Sequence, residues 1–176
     1  NVAASGGYYI SCAANKIIAE PNTLTGSIGI FGMFPNASGL FGKLALTADI
    51  VKTNTFSDLG DLSRPMTESE KALIQGYVER GYQTFLSRCA EGRGMTIEAV
   101  NAIGQGRVWT GEQAKERGLV DELGGIELAI STAAGLAGLD QYSVTTVSSS
   151  KNFLDEFLES QLGEVKLSIV KSVLGN

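Results

Sequence analysis

The chain has 176 residues with 43% hydrophobic content, a length and balance typical of one soluble globular domain with a buried core. Its 14 basic and 19 acidic residues give a formal net charge of −5, which argues against nucleic-acid binding and against charge-driven membrane binding, because no basic surplus exists to neutralise phosphates. Two cysteines without a CxxC pattern and the absence of histidine indicate neither a zinc site nor a disulfide scaffold, so no metal or cofactor is expected.

The first segment places a serine among small residues, Ala3-Ala4-Ser5-Gly6-Gly7. A catalytic serine needs a sharp turn that exposes its hydroxyl and directs the next backbone N–H at the developing oxyanion. The glycines permit such a close approach, and a short helix predicted over 7–14 would follow directly. The same residues also fit a serine that caps a helix, which is the more common meaning of such a pattern.

A serine nucleophile needs a base, and without histidine a Ser-His-Asp triad cannot form within the chain. The remaining common base is a lysine kept neutral by burial, because desolvation can lower a lysine pKa by roughly 3 to 5 units. The candidates, none of which lies in an apolar stretch that marks a pocket, are Lys16, Lys43, Lys52 and Lys71. The residues alone therefore leave the base unassigned.

Apolar segments and possible helices alternate along the next part of the chain, as is typical of layered α/β domains. The predicted elements are a strand over 16–20, a short apolar run over 28–31, a helix over 38–46, a strand over 48–52 and a polar loop over 53–64.

Two capping boxes mark the helices that the sequence predicts most clearly. Thr67-Glu-Ser-Glu70 precedes apolar pairs at helical spacing and predicts a long helix ending near 92–94, whose aromatic stripe, including Tyr82, we interpret as core or subunit contact. Thr110-Gly-Glu-Gln113 predicts a second helix, which Gly118 ends. The other expectations are a helix over 96–103, a tight connection over 104–109 with Trp109 buried, a helix over 125–137 and a strand over 142–147.

An amphipathic helix is predicted at the end of the chain, after a flexible joint of three serines at 148–150. Its apolar residues follow one side from Phe153 to Val173, and an exposed face of this kind would be an association surface. We therefore divide the chain into a domain over 1–147 and a helix over 148–176 that packs on its own core or on a neighbouring subunit.

Several motifs occur together in the order found in the signal peptide peptidase A, or protease IV, family. They lie at residues 3–11, 21–29, 106–114 and 118–124. Over residues 1 to about 137 the chain resembles this family, and it is similar to the second domain of the long, two-domain members. The resemblance implies an α/β fold of the layered ClpP/crotonase type, with a long central helix, and a serine endopeptidase that uses a Ser-Lys dyad.

The resemblance also implies roles for individual residues. Ser5 is the nucleophile, the Gly6 N–H is one oxyanion donor, and the Ser27 hydroxyl orients the lysine amine; without the resemblance, Ser27 would be interpreted as a turn residue. Short members carry the lysine in the same domain, at a position that matches Ser57 here, and Lys52 could replace it only if its loop were shifted. Long members take the lysine from the upstream domain, so we expect this chain alone to be a fragment and inactive.

Substrates, partners and location follow from the same resemblance. We expect peptide substrates, namely cleaved signal peptides and other membrane-derived peptides, and a homo-oligomer, commonly a tetramer in the long members. Membrane association through the upstream part and a place on the outer side of the bacterial inner membrane, in the cell envelope, are also implied. Two alternatives stay open: an acyl-CoA hydratase or isomerase on the crotonase fold, which the setting of Ser5 disfavours, and a non-catalytic assembly module, which the missing lysine favours.

Overall fold

The computed structural model describes residues 2–146. One unit extends to Gly138 and a second begins at Leu139. Within the second unit, the described residues 139–146 contain neither helix nor strand. The predicted helix over 148–176 and the domain boundary at 147 lie outside the described residues.

Helices and strands are mixed over the described part of the chain, in agreement with the predicted α/β class, while the layered ClpP/crotonase arrangement stays a prediction. In chain order, the elements are β1 (Val2–Ala4), α1 (Gly6–Ser11), β2 (Ile18–Ala19), β3 (Leu24–Gly26), α2 (Ser38–Lys43), α3 (Glu68–Arg93), α4 (Ile97–Ile103), β4 (Val108–Thr110), α5 (Gly111–Glu116), β5 (Glu122–Leu123) and α6 (Ile126–Leu136).

The strands form two small sheets. In the first, β3 lies between β1 and β4, parallel to β1 and antiparallel to β4. In the second, β2 and β5 pair in parallel. The register of the first sheet places Ala4 opposite Gly26, so the residues that follow these two leave the sheet side by side.

Helix α3 is the longest described element and agrees with its prediction at both ends. Thr67 and Glu70 form the complete capping box, and Gly94 ends the helix in the left-handed conformation that glycine adopts without a steric penalty. At Gly92 the helix approaches α1 so closely that a Cβ atom would lie 2.2 Å from the Cys12 carbonyl oxygen. This contact explains why the helix carries a glycine in its last turns.

The core lies between α1, α3, α4 and α5. Its largest fully buried side chains include Tyr8, Ile28, Leu86 and Leu119, and the Tyr8 hydroxyl donates a hydrogen bond to the Leu119 carbonyl. The two cysteines are free and buried there, as expected of small core residues. Burial, followed by the neighbouring Cys12 thiol, raises the pKa of Cys89 to about 12, so this thiol is protonated at neutral pH.

Asp121 connects three segments of the same unit. Its carboxylate accepts a hydrogen bond from the Ile17 N–H at 2.7 Å and pairs with the Arg93 guanidinium at 3.0 Å. Burial by itself would raise the pKa of this carboxyl, but the bonds from Arg93 and Ile17 outweigh burial and hold the pKa below its usual value. The end of α3 is thereby fixed against the residues that lead into β2 and β5.

Three sequence predictions are wrong in detail. Residues 48–52 form no strand, and Val51 is 96% exposed. No described strand pairs with this segment, and a lone strand would leave its backbone hydrogen-bonding groups unsatisfied. The described part of the strand predicted over 142–147 is likewise irregular. Trp109, expected to be buried in a connection, is half-buried in β4, where its indole N–H donates to the Ile103 carbonyl.

Candidate active site

Ser5 occupies the single residue between β1 and α1. Its φ of 52° and ψ of −117° lie outside the regions that non-glycine residues normally adopt, and its N–H donates to the Gly26 carbonyl at 2.9 Å. Such a strained turn from strand to helix is the setting that exposes the nucleophilic serine of α/β-hydrolases. The conformation therefore fits the role that the sequence resemblance implies.

The Ser5 side chain does not cap the helix that follows it. The residue stands at the N-cap position of α1, yet its hydroxyl makes no capping hydrogen bond and has no other partner among the described residues. The side chain is exposed, so its hydroxyl is accessible to a substrate. The structure does not support the capping interpretation, which was the main alternative at this position.

Gly6 follows the serine and starts α1. The first N–H groups of a helix have no intrahelical acceptor, and the hydrogen bonds of the described residues include none from the Gly6 N–H. The earliest such bond in this turn runs from the Tyr9 N–H to the Ser5 carbonyl at 2.8 Å. An unbonded N–H directly after the serine is the donor that an oxyanion would need.

Ser27 has the same relation to β3 that Ser5 has to β1. It directly follows the last strand residue, its φ is 51°, and its N–H donates to the Arg107 carbonyl at 2.8 Å. The residue is half-buried, and its hydroxyl has no partner among the described residues. A hydroxyl held in this way remains able to accept or donate a bond to an incoming group.

Ser5 and Ser27 line one cleft with a volume of about 500 Å³. The other residues of this cleft, which we call the serine cleft, are Gly29, Ile30, Phe31, Gln75, Val78, Glu79, Tyr82, Gln105 and Gly106. A second cleft of about 390 Å³ shares Ser5, Gly29 and Ile30 with the first, and its other lining residues are Gly6, Tyr9, Gly81, Thr84 and Phe85. Ser5 thus borders two adjoining clefts.

Tyr82 holds one wall of the serine cleft in place. Its hydroxyl donates to Asn101 Oδ1 at 2.7 Å and accepts from the Gln105 N–H at 2.9 Å. The Gln105 turn has a φ of 58°, and its neighbour Gly106 donates to the Ile28 carbonyl at 2.8 Å. Tyr82 also packs against the hydrophobic core, as its place in the aromatic stripe of α3 predicts, whereas its helical spacing does not predict that it borders a cleft.

The lysines of the described residues lie elsewhere, and none of them lines either cleft beside Ser5. Lys52 pairs with Asp58 at 3.2 Å, Lys71 pairs with Glu68 at 2.7 Å, and Lys16 lies 3.9 Å from Asp121. Ser57, at the position that matches the lysine of short members, is exposed, and its hydroxyl donates to the Asn54 carbonyl at 3.2 Å. The structure does not bring Lys52 or Ser57 into the serine cleft.

An ion-pair network fixes the loop that contains these residues. Arg64 bonds to Asp58 at 2.7 Å and to both carboxylate oxygens of Glu70, which is 2% exposed and belongs to the capping box of α3. The Arg64 bonds, followed by that from the Thr67 N–H, hold the pKa of Glu70 far below its usual value. Arg64 also lowers the pKa of Asp58. The loop is therefore attached to the start of α3, and none of its residues lines either cleft beside Ser5.

The described residues contain no group of three or more histidine, cysteine, aspartate or glutamate side chains able to hold a metal ion. None of the helices found in residues 2–146 combines the length and apolar character needed to cross a membrane.

Comparison with known proteins identifies relatives over nearly the whole chain. Protease 4 of Salmonella typhi is 37% identical over 172 residues, which cover 98% of this chain and 28% of the relative. Protease 4 of Haemophilus influenzae is 38% identical over 88% of this chain and 25% of the relative. The serine protease SPPA, chloroplastic, of Arabidopsis thaliana is 35% identical over 99% of this chain and 25% of the relative. The chain spans about a quarter of the length of these relatives.

The model of peptidase family S49 matches residues 1–140, and the chain belongs to this family.

Proposed function

We propose that this chain supplies the nucleophile of a serine endopeptidase with a Ser-Lys dyad. The observation that carries the proposal is the strained turn at Ser5, whose unbonded hydroxyl lies in one cleft with the unbonded hydroxyl of Ser27. The membership of family S49 and the protease names of its relatives support the reaction class. The assignment of Ser5 rests on geometry and on the motif around it.

In the proposed reaction, Ser5 Oγ attacks the carbonyl carbon of a peptide bond while a neutral lysine takes the hydroxyl proton. The Gly6 N–H and a second donor from outside the described residues hold the oxyanion. Collapse of this intermediate expels the amine, which receives the proton from the lysine and leaves an acyl-enzyme. Water then attacks the ester with the lysine as base and restores the free serine.

The lysine comes from a part of the protein outside residues 2–146 in this proposal. Support comes from the described lysines, none of which lines the serine cleft, and from the relatives, which are about four times longer than the region they share with this chain. An upstream domain of the same polypeptide is the source we favour, with an equivalent neighbouring chain as the other route. Ser27 would accept a hydrogen bond from the lysine amine and keep its lone pair directed at Ser5.

The proposed substrates are cleaved signal peptides and other membrane-derived peptides. Signal peptides combine an apolar segment with basic residues at one end. The apolar part of the serine cleft, formed by Ile30, Phe31 and Val78, suits the apolar segment of such a peptide. We further propose a homo-oligomer at the outer face of the bacterial inner membrane, by resemblance to the family.

Labelling with a serine-reactive fluorophosphonate tests this proposal. We would expose the complete polypeptide that contains this chain, its Ser5→Ala variant, a Ser69→Ala control and residues 1–176 alone, and then measure the intact mass. Ser69 is exposed in the first turn of α3 and borders neither cleft beside Ser5. We expect one adduct in the complete protein and in the control, none in Ser5→Ala, and little in the isolated chain. No adduct on the complete protein would instead favour the non-catalytic assembly module.

A further inference from the structure

Helix α3 contributes one charged side chain to the serine cleft. Gln75, Val78, Glu79 and Tyr82 line it together, because residues spaced by three and four positions share one face of a helix. Glu79 is exposed, and its Oε1 accepts a hydrogen bond from Gln75 Nε2 at 2.8 Å. The carboxylate is thus positioned by a neighbour that is itself uncharged.

Glu79 differs from the other acidic residues of α3 in having no salt-bridge partner among the described residues; its chain neighbour Arg80 instead lies over the Tyr77 ring. Glu68 pairs with Lys71, Glu70 with Arg64 and Glu91 with Arg88, whereas the salt bridges of the described residues include none to Glu79. The serine cleft is also lined by no described arginine or lysine. A group with a positive charge that enters this cleft would therefore meet one lining carboxylate that is not already paired with an arginine or lysine.

We propose that Glu79 is a specificity-determining residue that binds a lysine or arginine side chain of the peptide substrate, close to the bond that Ser5 attacks. This inference rests on the proposed peptidase function and assigns a substrate preference to the same cleft. The apolar atoms of Ile30, Phe31 and Val78 offer a surface for the aliphatic stem of such a side chain, while the charged end reaches Glu79. A peptide that joins a basic residue to apolar neighbours fits both features at once.

A different role for Glu79 would be to pair with the lysine base that enters from elsewhere. A carboxylate beside that lysine would raise the lysine pKa and disfavour the neutral form that catalysis needs. The two roles therefore predict different results when the carboxylate is removed. Loss of substrate pairing changes the preference among peptides, whereas loss of base pairing moves the pH profile of turnover to lower pH.

The test compares turnover of paired fluorogenic peptides by the complete polypeptide. Each pair carries either lysine or norleucine, which has a side chain of similar length without the amine, at one position on either side of the scissile bond. The variants are Glu79→Gln and, as a matched control on the same helix, Glu91→Gln, because Glu91 borders neither cleft beside Ser5. Fluorophosphonate labelling of Ser5 in every variant verifies that the nucleophile is intact.

At one peptide position, we expect the wild-type ratio of kcat/KM for lysine over norleucine to fall about 5-fold in Glu79→Gln, the size expected for one partly exposed ion pair. The control should keep the wild-type ratio, and Glu79→Lys should favour glutamate peptides at that position. An unchanged ratio in a labelled and active Glu79→Gln variant would overturn the inference. If the pH profile of turnover also shifted, Glu79 would instead be the residue that pairs with the lysine base. Absence of both labelling and turnover in the wild type would overturn the proposed function itself.

Discussion

Ser5 and Ser27 directly follow Ala4 and Gly26, which are paired residues at the ends of two adjacent parallel strands. Both serines have a positive φ, 52° and 51°, that side chains with a Cβ rarely adopt. Each also donates its N–H to a carbonyl of a neighbouring segment, at Gly26 and Arg107. The sheet register and these two bonds therefore direct both side chains into one cleft, at the cost of local backbone strain.

The strain at Ser5 predicts a difference between two variants that both remove the hydroxyl. Ser5→Gly should relieve the φ of 52°, whereas Ser5→Ala keeps a Cβ in the same conformation. The greater entropy of glycine in the unfolded chain offsets part of this gain. We expect the free energy of unfolding of Ser5→Gly to be about 1 kcal/mol higher than that of Ser5→Ala. Urea denaturation of the two variants measures this difference, and neither variant should react with fluorophosphonate. Equal stability, or a more stable alanine variant, would contradict a strained serine.

Tyr82→Phe should loosen the wall of the serine cleft without removing the ring. The variant loses the bonds to Asn101 Oδ1 and to the Gln105 N–H, and we expect a loss of about 1 to 2 kcal/mol in the free energy of unfolding. Because the Gln105 turn borders Ser27, we also expect a lower kcat in the complete protein. The matched control is Tyr77→Phe, since Tyr77 is 72% exposed on the same helix and keeps its ring contact with Arg80. A control that loses as much activity as Tyr82→Phe would argue against a role for the hydroxyl.

The sequence predicts those parts of the fold that local signals specify. Both capping boxes occur where Thr67 and Thr110 predicted them, because the box is a contact within four consecutive residues. Strands depend on partners that are distant in sequence, and this explains why the segment 48–52 looked like a strand and has no partner to pair with. The predicted Ser5 motif agrees with a strand-to-helix turn, since its small residues are adjacent in the chain.

The cleft itself could not be predicted from one sequence. Its wall joins Tyr82 and Glu79 of α3 to the Gln105 turn and the segment after Ser27, and these meet only through tertiary packing. Helical spacing predicts that Tyr82 faces the core, as it does, but not that the same side chain also borders a cleft. Lys52 likewise pairs with Asp58 and lines neither cleft beside Ser5, which the sequence around it does not predict.

The network at Glu70 predicts a loss of stability in acid. Arg64 and the Thr67 N–H hold the folded-state pKa of Glu70 well below its unfolded value, so the carboxylate contributes stability that is fully present above the unfolded pKa. This contribution should disappear progressively as the pH falls through the unfolded value, near 4.5, toward the lower folded-state pKa. Thermal unfolding at several pH values should show a smaller decline in Tm with acid in Glu70→Gln, which is already less stable at neutral pH. The control Glu98→Gln, at an exposed position in the first turn of α4, should keep the wild-type dependence.

The close contact between Gly29 and the Gln105 turn gives the last prediction. A Cβ atom on Gly29 would lie 2.7 Å from both the N and the Cα of Gly106, and these are backbone atoms that cannot rotate away. Gly29→Ala should therefore push the turn outward, with a loss of about 1 to 3 kcal/mol in the free energy of unfolding and weaker reaction of Ser5 with fluorophosphonate. Gly39→Ala is the matched control, because a Cβ there meets no atom within 4 Å and alanine favours the helix that contains it. A rigid turn at this distance cannot accommodate a methyl group without moving. Equal stability and equal reactivity of Gly29→Ala and Gly39→Ala would therefore show that this contact does not define the cleft.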